Sequence, residues 1–265
     1  MNPCQIVAIL AEEGTYIGSE RTIYRVLKRN KLLNHRERSR IPVKRPRPAE
    51  LKADGPNQVW SWDITYLCSD LKGKFYYLYM FLDVWSRVII GWNIYEKESA
   101  DNSSELMRKI SMNNKVKGVR LHSDNGSPMK GATMLGTLQT LGITPSFSRP
   151  RVSDDNPYSE SLFKTLKYRI TYPKNFKSID DAKKWTTDFV QWYNYEHRHS
   201  KIKYVTPMQR HTGEDKNILE KRKTTYLEAR KRNPERWTKN IRNWERENIV
   251  VLNATKIQEQ NTKIA

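Results

Sequence analysis

Two aspartates stand in sequence contexts where a carboxylate could do chemistry. Asp63 lies in the apolar segment WSWDIT, where strand propensity and burial both disfavour an acid, so its side chain needs a partner. Asp124 follows a short apolar run and stands in the segment LHSDNG. Because Asn125-Gly126 is a turn signal, Asp124 has two interpretations, a turn residue or a metal ligand at the end of a strand.

Glu160 is the third candidate acid, and we expect it about one turn into a helix that opens at Pro157. Thirty-five residues separate Asp124 from Glu160. Lys164 and Lys167 follow the glutamate by four and seven residues, so all three side chains share one helix face. The two lysines could contact DNA phosphates or simply form a solvated face. Each acid taken alone is equally explained as a cap, a turn residue or a surface charge.

The motifs around these acids resemble a known family. The segments WSWDITYL, LHSDNG and NPYSESLFKTLKYR resemble the catalytic motifs of DDE transposases and retroviral-type integrases, and the 35-residue gap is the one that superfamily favours. The segments RPRVSDDNPYSESLFKTLK and WYNYEHRHS are more similar to the OrfB product of bacterial insertion sequences of the insertion-sequence three family. The resemblance covers residues 57–210 and extends to the N-terminal helical pair.

This resemblance implies an α/β, ribonuclease H-like fold with a mixed five-stranded sheet flanked by helices. It implies that Asp63, Asp124 and Glu160 are the catalytic residues and the ligands of two Mg²⁺ ions, for which Mn²⁺ could substitute. Two hard cations can activate the attacking oxygen and stabilise the leaving oxygen of an in-line displacement at phosphorus. A basic residue often stands seven positions after the family's glutamate, which favours Lys167 as a DNA contact.

The elements that must position these residues follow from periodicity and turn signals. The pattern predicts three sequential strands, then helix, strand, helix, strand and further helices, which is typical of a mixed sheet with helices packed on it. The predicted strands are 57–67, 75–86, 87–98, 119–123 and 143–147. The predicted helices are 101–114, 131–141, 157–169 and 178–196, and a further strand is possible within 248–253.

The N-terminal segment 1–35 is predicted to be a helix-turn-helix-like pair, with Ser19 capping the second helix. That helix carries the candidate DNA-contact residues Arg21, Arg25, Lys28 and Arg29. Simple packing of two small helices explains the pattern almost as well.

Residues 36–56 are predicted to be a basic, proline-rich linker, in which Lys44, Arg45 and Arg47 are candidate phosphate contacts. A plain solvated tether is equally consistent with this composition. Residues 57–210 then form the expected catalytic core, and residues 211–265 a basic C-terminal extension.

The net charge predicts a polyanionic partner. Forty-eight Lys and Arg residues against 29 Asp and Glu residues give +19 at pH 7, which favours double-stranded DNA as the partner. A disulfide framework and a zinc site are unlikely with only two distant cysteines, Cys4 and Cys68. No run of apolar residues is long enough to predict a membrane span, and we expect a cytoplasmic, nucleoid-associated bacterial protein.

The resulting functional hypothesis is a transposase that cleaves DNA at insertion-sequence ends and transfers the strand, giving DNA transposition, integration and recombination. The resemblance implies two protein partners, the upstream OrfA product (separate or fused) and further copies of this chain on DNA. The alternative from another class is a non-catalytic DNA-binding regulator of the element. A nuclease without strand transfer is a third interpretation, which the basic flanks disfavour.

Overall fold

The computed structural model describes residues 2–33, 48–150 and 155–254. The chain divides into two compact units at residues 46 and 47. The candidate DNA contacts Lys44, Arg45 and Arg47 lie outside the described residues.

The first unit contains the predicted helical pair, α1 (Pro3–Glu12) and α2 (Glu20–Arg29). The Ser19 side chain accepts a hydrogen bond from the backbone N–H of Thr22, which confirms the predicted cap. The two helices are joined by a hydrogen bond that the Tyr24 hydroxyl donates to Asn2 Oδ1 at 3.1 Å. The four basic residues proposed for DNA contact are all exposed on α2: Arg21, Arg25, Lys28 and Arg29.

The second unit is built on a five-stranded mixed sheet, which a short strand, β1 (Leu51–Ala53), precedes in the chain. The strands of the sheet are β2 (Val59–Cys68), β3 (Phe75–Asp83), β4 (Ile89–Tyr95), β5 (Arg120–Ser123) and β6 (Thr144–Phe147). Their order is β4-β3-β2-β5-β6. The first three in sequence are antiparallel neighbours, whereas β5 runs parallel to both β2 and β6. This is the predicted mixed sheet.

Helices connect and cover these strands, and one more strand follows them. The helices are α3 (Ala100–Asn113), α4 (Ser127–Lys130), α5 (Ala132–Leu141), α6 (Pro157–Lys167), α7 (Ile179–Tyr195), α8 (Pro207–Thr212) and α9 (Asp215–Arg232). The last strand is β7 (Val250–Leu252). The α/β class predicted from the sequence is therefore confirmed.

The sheet buries an apolar layer on each face, because side chains alternate along its strands. On one face Trp60 and Trp62 of β2 pack in the same cluster as residues of α3 and α5. On the other face Leu67 of β2 and Met80 of β3 pack with α6 and α7. Asp63 alternates with Trp62, so it belongs to the face that α6 covers.

The prediction of irregular structure through residue 56 was wrong for 51–53. Those residues form β1, which pairs antiparallel with β7 through Leu51 and Leu252, Lys52 and Val251, and Ala53 and Val250. Leu51, Ala53 and Leu252 are buried in a third apolar cluster, which also contains Trp85. A strand of three residues among prolines and charges has no local signal, because its partner lies about 200 residues further along the chain.

Across the described ranges, no helix combines the length and the apolar character needed to cross a bilayer.

Candidate active site

Asp63 and Asp124 lie on adjacent parallel strands. The register pairs Val59 with Arg120 and Ser61 with His122. Asp63 follows Ser61 by two residues and Asp124 follows His122 by two residues, just beyond the end of β5, so both acids lie at the same end of this strand pair, whose strands neighbour each other at about 4.8 Å. Both side chains are partly exposed. The fold therefore holds two carboxylates next to each other at the end of β5.

The electrostatics of Asp63 reflect this neighbourhood. Burial raises the pKa of the Asp63 carboxyl to about 7, and the negative charges of Asp124, Glu160 and Glu98 add to the rise. A hydrogen bond from the backbone N–H of Ile64 to Asp63 Oδ1, 2.8 Å long, opposes it. The charges of both other candidate acids thus act on the first one.

Glu160 reaches this region because α6 is fastened to β2. The Ser61 hydroxyl lies 2.5 Å from Asn156 Oδ1 and 2.6 Å from Ser159 Oγ, and Asn156 Nδ2 donates to the carbonyl oxygen of Trp62 at 3.3 Å. Ser61, Asn156 and Ser159 are all buried. The N-cap residue of α6 and one residue of its first turn are therefore bonded to the strand that carries Asp63, while Glu160 stays exposed.

Asp124 is positioned by a second polar group of residues. The Ser148 hydroxyl donates to Asp124 Oδ1 at 2.9 Å, and Asn125 Nδ2 donates to the carbonyl oxygen of Ser148. Ser148 Oγ also lies 3.2 Å from His122 Nε2. The loop that follows β5 is thus bonded to the end of β6, and this holds the Asp124 carboxylate in place.

His122 is a buried structural residue of this group. Its Nε2 lies 2.9 Å from the carbonyl oxygen of Asp155, which can only accept, so Nε2 carries the ring proton. Its Nδ1 then accepts from the Ser146 hydroxyl at 3.0 Å. Burial lowers the pKa of His122, which favours this neutral form. His122 therefore joins β5 to β6 and to the approach to α6.

Sequence reasoning missed the buried polar partners of the acids, Ser61, Ser148, Asn156 and Ser159. Two signals could have found some of them. Ser61 alternates in step with Asp63 along β2, and Asn156 directly precedes the Pro157 that opens α6. Glu98 was also missed, although its charge reaches Asp63. Nothing in its local sequence distinguishes it from a solvated surface acid.

The carboxylates share one region without converging on a single point. Within the part of the chain that the structure describes, no three His, Cys, Asp or Glu side chains form a group able to hold a metal ion. Like charges at close range repel each other, and a cation removes that cost. The donor set itself fits Mg²⁺ or Mn²⁺, because it consists of carboxylate oxygens with two of the acids on rigid strands.

The predicted DNA contacts fall into three groups. Lys164 and Lys167 are exposed on α6, on the same side of the helix as Glu160, whereas Leu162, Phe163 and Leu166 are buried. The four basic residues of α2 belong to the first unit, and the linker residues lie outside the described ranges. The α6 lysines thus lie next to a candidate catalytic residue, Glu160.

The segment that carries the candidate acids matches known family profiles. A family profile described as Integrase core domain matches residues 53–153, and a second profile with the same description matches residues 141–207. Together the two matches span more than half of the chain.

Curated relatives are transposases. The chain is 31% identical over 162 residues to the transposase for insertion sequence element IS904 of Lactococcus lactis subsp. lactis (strain IL1403), which covers 59% of this chain and 62% of that protein. It is 30% identical over 168 residues to transposase InsF for insertion sequence IS3A of Escherichia coli (strain K12), covering 63% of this chain and 57% of that protein. The chain therefore spans about three fifths of the length of these relatives.

A solved structure shares the fold. A chain in the cryo-electron-microscopy structure of the simian T-cell lymphotropic virus intasome in complex with PP2A regulatory subunit B56 gamma superposes with a TM-score of 0.51 at 18% identity, covering 77% of this chain and 70% of that one. The sheet order, the helices on both faces and this likeness confirm the predicted ribonuclease H-like fold. The two profile matches show that the chain belongs, over residues 53–207, to the integrase core domain family, and the two curated relatives at about 30% identity are insertion-sequence transposases.

Proposed function

We propose that this chain is the catalytic part of a DDE transposase, which cleaves DNA at insertion-sequence ends and transfers the freed strand to a target. The observation that carries the proposal is the parallel register of β2 and β5, which sets Asp63 beside Asp124. The bonds from Ser61 to Asn156 and Ser159 add Glu160 to the same region. Relatives named transposases support the same reaction.

In this proposal Asp63, Asp124 and Glu160 hold two Mg²⁺ ions, with Mn²⁺ as a substitute. Bound ions would supply Lewis-acid stabilisation of the attacking and leaving oxygens at phosphorus. The three side chains provide hard oxygen donors, and the raised pKa of Asp63 marks a carboxylate that a nearby cation would return to its ionised form. Activity should therefore require the divalent ion.

The remaining residues bind and orient the DNA. Lys164 and Lys167 extend from the same face of α6 as Glu160, so they can pair with DNA phosphates near the bond to be cut. Ser148 keeps Asp124 directed towards the shared region through its hydroxyl.

The experiment is a strand-transfer assay with labelled element-end DNA and Mg²⁺. The native protein should give cleaved and joined products, whereas Asp124→Asn and Glu160→Gln should give none while still binding DNA. Asp188→Asn, which changes an exposed acid on α7, serves as the matched control and should keep full activity. Joined products from Asp124→Asn would refute the proposed role of the triad.

The same assay separates the alternatives. DNA binding without cleavage by the native protein would indicate a DNA-binding regulator of the element. Cleavage without joining would indicate a nuclease. A control with Mg²⁺ removed by a chelator and then restored distinguishes a metal requirement from loss of folded protein.

We propose three kinds of partner for this activity: element-end and target DNA, the upstream OrfA product or a fusion with it, and further copies of the chain on DNA. The charge of +19 supports the first. The exposed basic face of α2, together with Lys44, Arg45 and Arg47, would extend the DNA contact beyond the core. We place this activity in the bacterial cytoplasm, at the nucleoid. Light scattering of the protein with and without element-end DNA, and with OrfA added, tests the assembly.

A further inference from the structure

A cavity of about 470 Å³ lies beside α6 in the second unit. Leu82 at the end of β3, Tyr158 and Ser161 of α6, and Tyr193 of α7 line it. The three candidate catalytic acids do not. Successive residues of a helix are 100° apart, so Glu160 lies about 130° from the mean direction of Tyr158 and Ser161. The cavity and the candidate active site are therefore on different sides of the same helix.

The wall of this cavity contains a buried arginine with unused hydrogen-bonding capacity. Arg87 is only 7% exposed, and its Nη1 donates to the carbonyl oxygen of Val84 at 2.7 Å. Its guanidinium carbon lies 4.1 Å from the centre of the Tyr158 ring. Its Nε is buried with no hydrogen-bond partner in the described protein. Buried polar groups normally have partners, so Arg87 keeps a donor that the described residues do not use.

The Arg87 backbone explains why the side chain stays there. Its φ of 73° lies in the left-handed region, and its N–H donates to the carbonyl oxygen of Asp83 at 2.8 Å. The turn after β3 therefore directs the guanidinium inward, where Tyr158 and Val84 hold it. Arginine is well suited to phosphate recognition, because its planar guanidinium can donate two parallel charge-assisted hydrogen bonds.

Two further donors line the same cavity, His199 and Lys201. His199 Nδ1 accepts from the backbone N–H of Lys201 at 3.2 Å, so Nε2 carries the ring proton and is a donor. Burial lowers the pKa of His199 to about 4, and the positive charges of Arg87 and Lys201 contribute to this shift. The lining also includes one acid, Glu247, whose Oε1 lies 3.7 Å from Lys203 Nζ.

We propose that this cavity binds a phosphate group, with Arg87 and Lys201 as its cationic contacts and His199 as a neutral donor. The volume exceeds that of a phosphate ion, and Leu82 and Tyr193 provide apolar wall for an organic part attached to it. Two sources carry this chemistry, a free phosphate ester and a phosphodiester of DNA. The proposal is independent of strand transfer, because the cavity contains none of the residues assigned to that reaction.

The test is NMR of the full chain labelled at histidine, in metal-free buffer. Inorganic phosphate is titrated in at constant ionic strength, with chloride as the matched salt. We expect the His199 side-chain signal to shift and saturate with phosphate and to remain still with chloride. No shift of His199, or equal shifts with both salts, would overturn the proposal, because the charge of +19 predicts weak anion binding everywhere on the surface.

Variants identify the contacts. Lys201→Ala changes an exposed side chain and should weaken phosphate binding about tenfold, because a charge-assisted hydrogen bond is lost. Lys184→Ala, an exposed lysine of α7 outside the cavity, should leave the affinity unchanged. Arg87→Lys should also weaken binding, because a point charge replaces the planar guanidinium fork. Equal affinities for Lys201→Ala and Lys184→Ala would contradict the proposed contacts.

A second arm assigns the source. A short duplex with no free phosphate in the buffer is added to the labelled protein. A His199 shift that Lys201→Ala abolishes identifies a DNA phosphodiester as the ligand. If the duplex leaves His199 unchanged and phosphate still moves it, the ligand is a free phosphate ester.

Discussion

Single hydroxyl and amide groups decide where the candidate catalytic carboxylates sit. Ser148 contacts both Asp124 and His122, so one buried hydroxyl connects the acid at the end of β5 to the ring that joins β5 and β6. Ser61 performs the corresponding task for α6. Partners of this kind orient metal-binding side chains, and their loss typically costs metal affinity or activity without unfolding the protein.

Ser148→Ala should reduce strand-transfer activity about 10- to 100-fold, because Asp124 loses the hydroxyl that orients it. The Mg²⁺ concentration for half-maximal activity should rise in Ser148→Ala, and Ser148→Thr should return that concentration to the native value. A purely structural role of Ser148 would leave the Mg²⁺ concentration for half-maximal activity unchanged. Ser146→Ala is the control, since Ser146 contacts His122 but not Asp124 in the same pair of strands. Equal losses for the two serine variants would show that Ser148 acts only through the fold.

His199 should make the stability of the fold depend on pH. Burial lowers its pKa from 6.5 to about 4, so the folded state favours the neutral ring. The free energy of unfolding keeps this contribution above about pH 6.5 and loses it as the pH falls towards 4, with a rough upper bound of about 3 kcal/mol. Urea unfolding between pH 7.5 and 4.5 measures it. The free energy of unfolding of the His199→Gln variant should fall less steeply over that pH window than that of the native protein. Parallel curves for the two proteins would contradict the assignment to His199.

At the scale of secondary-structure elements, one close contact between β4 and α3 sets the distance of that helix from the sheet. Gly91 of β4 faces Ile110 of α3, and a Cβ added at Gly91 would lie 2.4 Å from Ile110 Cγ1. A branched side chain on the helix therefore occupies the space that a larger strand residue would fill. The helix reaches the strand closely only because the glycine has no side chain.

Gly91→Ala should destabilise the protein by about 1–3 kcal/mol, because Ile110 or α3 must move. Gly136→Ala is the matched control within α5, where an added Cβ meets nothing within 4 Å. It should stabilise by about 0.4–1 kcal/mol through the lower backbone entropy of alanine in the unfolded chain. Urea unfolding of both variants gives the comparison, and a neutral Gly91→Ala would mean that the α3 contact is looser than the geometry indicates.

Within the second unit, the chain segments before and after the five-stranded sheet are joined. β1 pairs with β7 beside Trp85. The buried Arg210 donates two hydrogen bonds, from Nε to the carbonyl oxygen of Trp85 at 2.9 Å and from Nη2 to the carbonyl oxygen of Glu247 at 2.6 Å. Arg246 binds the buried Asp215 through two hydrogen bonds of 2.6 and 3.0 Å. The described part of the C-terminal extension thus packs in the same unit as the core.

Leu252→Ala should destabilise the unit by about 2–4 kcal/mol, because Leu252 is fully buried against Trp85 and its neighbours. Ile249→Ala is the control three residues earlier, where the side chain is 59% exposed, and should change stability by less than about 0.5 kcal/mol. Thermal and urea unfolding distinguish the two. Similar small effects from both substitutions would show that the β1–β7 sheet is not part of the cooperative unit.

Much of the fold was predictable from local patterns. Alternation and apolar runs gave all five strands of the main sheet, and caps and Pro157 located the starts of α2 and α6, because these signals depend on residues within a few positions of each other. The positions proposed for the triad came from motif resemblance. No local pattern could show that β2 and β5 would align Asp63 with Asp124.

Contacts between distant segments could be identified only in the folded structure. The β1–β7 pair, the Ser148 bond to Asp124 and the cavity at Arg87 each join residues that are far apart in sequence or whose surroundings are built from several elements. Periodicity tells which side of an element is buried, but it does not name the partner on that side. LHSDNG therefore predicted that a strand ends at Asp124, and the neighbouring strands and α6 determine which groups its carboxylate faces.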